Sequence, residues 1–242
     1  MSIILISICD SLLQLAILTP FLFLAIRQNK GNALFPLLYA AAIYLLINIL
    51  LYSLSSVILF KGQQFNWTGK GAALLFEFIL AFSIPGFTVV DFGLAKPKWT
   101  GSTQIMVVCL IYFFIRLSLY YFSGGASPAI HREQFLFQAT LPGLQEELLF
   151  RGILSGLLQR VFQQPAGTRW NLRPSWAAVI ISILFGLSHG IGFREDHSLF
   201  FNLAAFLRTG FDGLLLAVLA EKTKSIFPSV IYHNLLNLIG NH

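Results

Sequence analysis

Long apolar runs, interrupted at short intervals by glycine, proline and charge, set the pattern of this chain. On the criterion of roughly 20 apolar residues per crossing, they predict about eight membrane helices. The first covers 3–26 and contains Asp10. The second, 33–60, is long enough to be tilted, and the third, 72–90, holds Glu77 and a proline, Pro85, expected to kink it. The fourth covers 103–122 and contains Arg116. The glycine- and serine-rich stretch 123–128 then stops helix. It separates a plain hydrophobic front half, 1–122, from a back half, 134–238, where polar residues recur at helical spacing. The back-half spans are 134–158, 175–190, 198–220 and 226 onward, with Pro142 placed to start or kink the first of them. The expected fold is all-α: a polytopic membrane bundle forming a single domain, 1–242.

Composition agrees with that pattern. Hydrophobic residues make up 56% of the chain and charged residues 11%, far below the roughly 25% charge of soluble domains. Mean hydropathy is +0.75. The net charge of +6 comes from basic residues in short loops, with no block long enough for nucleic acid. Nine lysines and arginines fall in the odd-numbered loops and four in the even ones, which places the odd loops in the cytoplasm and both termini outside. The N-terminal segment lacks a basic leader and a small-residue cleavage site, so it reads as a retained span. Cys9 and Cys109 both sit in apolar segments and read as small buried hydrophobes. No internal repeat supports a transporter architecture or a proton relay.

Charge inside these runs carries the chemistry. Gly143 to Gly152 places Glu146, Glu147 and Arg151 in an otherwise apolar helix. A charge at mid-membrane depth costs roughly 2.5–3.5 kcal/mol on insertion scales, so it is rarely kept without a use. Glu147 and Arg151 are four apart with the acid first, the favourable order for an ion pair along one face. Adjacent residues diverge by about 100° around a helix, so Glu146 faces elsewhere and is left as the unpaired carboxylate. Three further polar positions follow on two later spans: His189, then His233 with Asn237 four residues on. Phe185, four before His189, is placed to line a pocket beside the imidazole. Arg208 and Asp212, also four apart, read as a second intrahelical pair. Asp10, Glu77 and Arg116 read as interhelical polar contacts.

Two chemistries suit the first set. In one, Glu146 is the general base that activates water, His189 helps hold that water, and His233 and Asn237 donate to a tetrahedral oxyanion. In the other, Glu146, His189 and His233 bind a zinc ion that activates the water. Both hydrolyse a peptide bond within the membrane. A non-catalytic immunity or scaffold protein would not need the complete set.

In their order along the chain, Glu146-Glu147-x-x-x-Arg151, Phe185-x-x-x-His189 and His233-x-x-x-Asn237 resemble the three motifs of the CPBP family. That family comprises the type II CAAX prenyl endopeptidases and their bacterial relatives. The resemblance spans about residues 134–237 and implies an eight-helix membrane protease acting on a membrane-anchored protein or peptide tail. It implies Glu146, His189, His233 and Asn237 as catalytic residues, supported by Glu147 and Arg151. The family has been described both as glutamate proteases and as metalloproteases. A single free carboxylate beside a salt-bridged one makes a thin metal site, which favours the mechanism without a cofactor and leaves zinc as the alternative.

Overall fold

The computed structural model describes residues 3–26, 34–122, 132–162 and 172–240. The stretch 123–128 and the loop residues Arg27, Lys30 and Arg169 lie outside them. Among the described residues, four helices have the length and composition to cross a membrane: α1 (Ile3–Ile26), α2 (Leu34–Ser53), α4 (Thr103–Phe122) and α9 (Leu203–Thr223). The others are shorter or broken, so the expected count of about eight full crossings is not reached by this measure. They are α3 (Trp67–Ser83), α5 (Arg132–Gln138), α6 (Leu141–Glu147), α7 (Ser155–Val161), α8 (Trp176–Gly190) and α10 (Phe227–Gly240). One antiparallel hairpin, β1 (Ile191–Phe193) with β2 (Leu199–Phe201), replaces the plain loop expected between the sixth and seventh spans.

Three boundaries differ from the sequence pattern, each for a local reason. Pro85 does not kink the third helix. Residue Ile84 before it is extended at φ −68° and ψ 117°, and α3 ends at Ser83. A proline disfavours helix in the residue ahead of it and has no N–H to continue the ladder. The same helix starts earlier than the apolar run, because Asn66 caps it by accepting a hydrogen bond from the Gly69 amide at 2.8 Å. The expected span 134–158 is interrupted at residues 139–140 and resumes with Pro142 in its first turn. From there α6, a π-helical segment (Leu148–Leu154) and α7 run on without a break. Every residue of the π segment is buried. Such wide turns occur frequently at functional sites, and this one carries Arg151.

The core lies around this broken helix. Leu148, Ile153 and Leu157 are fully buried against α2, α3 and α8. By contrast, α1, α2 and α4 keep rows of large apolar side chains exposed, as a lipid-facing surface requires. Apolar contact with lipid offers helices no reason to associate, so close packing must come from small residues. Helix α8 supplies Gly186 and Gly190 four apart, and both press on Phe206 of α9, with Gly186 also meeting Gly210. A Cβ on Gly186 would lie 2.7 Å from the Phe206 carbonyl oxygen.

Polar contacts tie the remaining helices. Asp10 accepts from the Phe193 amide at 2.7 Å and thereby holds α1 to the hairpin. Glu77 accepts from Gln145 across α3 and α6. Asp212 does not pair with Arg208. It takes Tyr112 Oη at 2.6 Å and Arg116 Nη1 at 3.0 Å, both from one face of α4. An acid four residues after its base is the weaker intrahelical order, and the α4 donors offer two bonds at once. Cys109 is buried and Cys9 partly so, both free thiols.

Gly186→Ala forces α8 and α9 apart and is expected to cost about 1–3 kcal/mol, the usual range for overpacking. Thermal unfolding in detergent should show a clear drop in midpoint, whereas Gly71→Ala, which meets open space, should show none.

Candidate active site

Glu147 ends α6 with its side chain fully buried, where a lone carboxylate would be intolerable. One oxygen, Oε1, carries two partners. Arg151 Nη1 donates to it at 2.8 Å and His233 Nδ1 lies 2.7 Å away. The expected pair therefore forms, and it extends to a third residue from α10. The Arg151 guanidinium also donates to the Gly213 carbonyl at 3.1 Å and lies 4.4 Å over the Phe185 ring. Phe185 in turn meets the rings of His189 and His233 at 4.7 and 5.8 Å. Helices α6, α8, α9 and α10 thus converge on one buried carboxylate.

Glu146 faces the other way, as the helix geometry requires, into a cavity of about 360 Å³. The same cavity is lined by Lys70, His189, Arg208, His233 and Asn237. The structure therefore brings together every catalytic residue expected from the sequence. It also overturns one expectation: Glu146 is not unpaired. Lys70 Nζ reaches its Oε1 at 2.5 Å and the Gln145 Oε1 at 2.8 Å. Oxygen Oε2 of Glu146 lies 3.7 Å from His233 Nε2. Lys70 is the fourth residue of α3, two positions ahead of the apolar run 72–90, where the hydrophobic pattern alone places a loop. The signal that could have revealed it is its seven-residue spacing from Glu77, which puts both on one face of α3. Gln145 bridges them, bonding Lys70 through its oxygen and Glu77 through its nitrogen.

Hydrogen bonds fix the two imidazoles. His189 Nδ1 lies 2.9 Å from the Phe185 carbonyl, which can only accept, so in the neutral ring Nδ1 carries the proton and Nε2 the lone pair. His233 Nδ1 is held by Glu147, which turns Nε2 toward the cavity. Asn237 lies one turn along α10 and, among the described residues, its side chain makes no hydrogen bond. Asn234, unnoticed in the sequence, clips α10 to α6. Its Oδ1 accepts from the Gly143 amide at 3.0 Å and its Nδ2 donates to the Thr140 carbonyl at 3.2 Å. Gly143 is required there, because any Cβ would overlap the Asn234 carboxamide.

The alternative zinc site, Glu146 with His189 and His233, does not suit these side chains. A cation already sits on Glu146 Oε1, and a second, divalent one beside Lys70 would be repelled. No three potential ligands are grouped to hold a metal ion among the described residues. Zinc sites of catalytic type take three protein ligands.

Residues 132–239 match the family described as Type II CAAX prenyl endopeptidase Rce1-like. No curated protein and no solved structure matches the chain. The matched segment starts at the first residue of α5 and contains all three motifs; Lys70 and helices α1 to α4 lie ahead of it. The match covers 108 of the 242 residues, so the likeness to a CAAX-type endopeptidase family is one of the back half; among the described residues, four helices are long and apolar enough to cross a membrane several times over.

Arg151→Ala strands the Glu147 carboxylate and is expected to cost about 3–5 kcal/mol, the penalty for breaking a buried pair. Thermal unfolding should show the loss in Arg151→Ala, while Asn237→Ala, which removes no hydrogen bond, unfolds like the unmodified protein. Equal midpoints for all three would contradict the structural role of the pair.

Proposed function

We propose that this protein is an intramembrane endopeptidase that hydrolyses a peptide bond of a membrane-anchored protein or peptide tail with water activated by Glu146. The observation that carries the reading is the convergence of Glu146 Oε2, both imidazole Nε2 atoms and Asn237 on one cavity, with Glu147 braced behind His233. Lys70 holds Oε1 of Glu146 and leaves Oε2 to act as the base. His189 Nε2, an acceptor, orients the water by taking a hydrogen bond from it.

As the water oxygen adds to the scissile carbonyl carbon, its proton passes to Glu146 and the carbonyl becomes an oxyanion. The Asn237 amide donates to that oxyanion. His233 does so through Nε2–H in the ring form that carries both protons, with Nδ1–H held by Glu147. Collapse breaks the carbon–nitrogen bond as Glu146 returns the proton to the leaving nitrogen. The products are a carboxylic acid and an amine, which part as carboxylate and ammonium once the acid proton passes to the amine, and the base is restored. No metal or cofactor takes part in these steps. Because α3 of the front half supplies Lys70, we take the whole chain to act as one domain.

Purified protein and a panel of lipid-tethered peptides test the proposal. Glu146→Gln should abolish cleavage with its unfolding midpoint kept. Asn237→Ala should lower kcat roughly a hundredfold or more with little change in KM, as loss of one oxyanion donor does. Turnover of the glutamine variant at the unmodified rate would exclude Glu146 as the base.

A further inference from the structure

A second polar cavity, of about 410 Å³, lies on the far side of α8 from the catalytic one. Its walls are built at helical spacing. From α1 come Ser7, Asp10, Ser11 and Gln14, a polar stripe three and four residues apart on a helix that is otherwise apolar. From α2 come Tyr44, Asn48 and Tyr52, each four after the last. The stripe from Ser7 to Gln14 extends about 10 Å along α1, at 1.5 Å per residue. The hairpin covers the end of the cavity and places Arg194 and Glu195, both exposed, at its rim.

Most of these groups are satisfied by protein. Gln14 donates to the Ile191 carbonyl at 3.1 Å and accepts from Tyr44 Oη at 2.5 Å, and Asp10 holds the Phe193 amide. Two are not. Ser7 is 0% exposed and Ser11 1%, and neither hydroxyl has a hydrogen-bond partner among the described residues. A buried hydroxyl left unpaired costs about 1–3 kcal/mol. Lipid cannot supply the partner. Water can, in a polar cavity with room for it and with two to four groups to bond.

The wall between the two cavities is the last turn of α8. Ser188 lines the second cavity and His189, the next residue, lines the catalytic one. The Ser188 hydroxyl donates to the Phe185 carbonyl at 2.9 Å and lies 3.1 Å from His189 Nδ1. Hydrolysis consumes one water per turnover, and the catalytic cavity is itself walled by Phe137, Leu216 and Leu236. We infer that the second cavity is a hydrated vestibule that delivers the hydrolytic water from the hairpin side to the catalytic cavity, across Ser188 and His189. The inference rests on the hydrolytic function proposed above.

Hydroxyl-radical footprinting reads the water without needing turnover. Tyr44 is 1% exposed and Phe92 0%. Internal water should make Tyr44 react about tenfold faster than Phe92 in the unmodified protein. Equal protection of the two would overturn the vestibule. Ser11→Leu fills the cavity with apolar bulk, and its expected signature is weaker labelling of both Tyr44 and His189. For tethered-peptide cleavage the same variant should lose about tenfold in kcat with KM unchanged, and Ser11→Asn should restore the rate. His189 labelling and kcat at the unmodified level in a folded Ser11→Leu protein would overturn delivery. Where Ser11→Leu does not fold, Ser7→Leu is read in the same way. An unmodified protein that cleaves no peptide would refute the proposed hydrolysis, while footprinting of Tyr44 and His189 would still decide the vestibule.

Discussion

The site depends on one carboxylate that cannot be left alone. Glu147 lies at full burial in a membrane bundle, where an uncompensated charge would cost several kcal/mol. The fold answers with Arg151 from its own helix and His233 from α10. Because Arg151 also reaches the Gly213 carbonyl and the Phe185 ring, satisfying Glu147 fixes four helices relative to one another. The π-helical segment belongs to the same solution, since it begins at Leu148 and carries Arg151 within its buried turns. Stability and the aim of the His233 ring therefore meet on one oxygen: Oε1 of Glu147 takes the Arg151 guanidinium in a buried ion pair and, in a second contact, holds the imidazole that faces the cavity.

The cavity side shows the opposite economy of charge. Glu146 has one oxygen held by Lys70 and the other turned toward His233. Lys70 supplies the cation beside this carboxylate from a helix outside the matched family segment. Gln145 carries this arrangement on to Glu77, so α3 and α6 are joined by a hydrogen-bonded chain of two acids, an amide and a lysine. The front half of the chain is a structural part of the site as well as a lipid-facing shell.

The motif residues were legible in the sequence because each is a polar side chain in an apolar helix, and spacing alone separates Glu147 from Glu146. Their convergence was expected from the chemistry that suits them together and from the resemblance of the three motifs. Lys70 was not legible, since it lies at the start of a helix and its loop-like neighbours hide it. The partner of Asp212 was misread because spacing names a neighbour on the same helix, while Tyr112 and Arg116 compete from another. Helix ends were least legible: Pro85 stops α3 where a kink was expected, and the π segment leaves no periodicity distinct from that of an α-helix. The vestibule serines were missed as well, because a serine in an apolar span gives no signal of burial even where Asp10 and Gln14 share its face.

The central claim is that Glu147 serves catalysis only by holding His233, and a double-mutant cycle tests it most directly. The kcat of Glu147→Gln, His233→Ala and the double variant would be measured on one tethered peptide under identical conditions. Residues acting as a unit lose about as much singly as together. The account predicts that Glu147→Gln adds almost nothing to the loss already caused by His233→Ala. Independent losses that multiply in the double variant would contradict it and would give Glu147 a chemical role of its own.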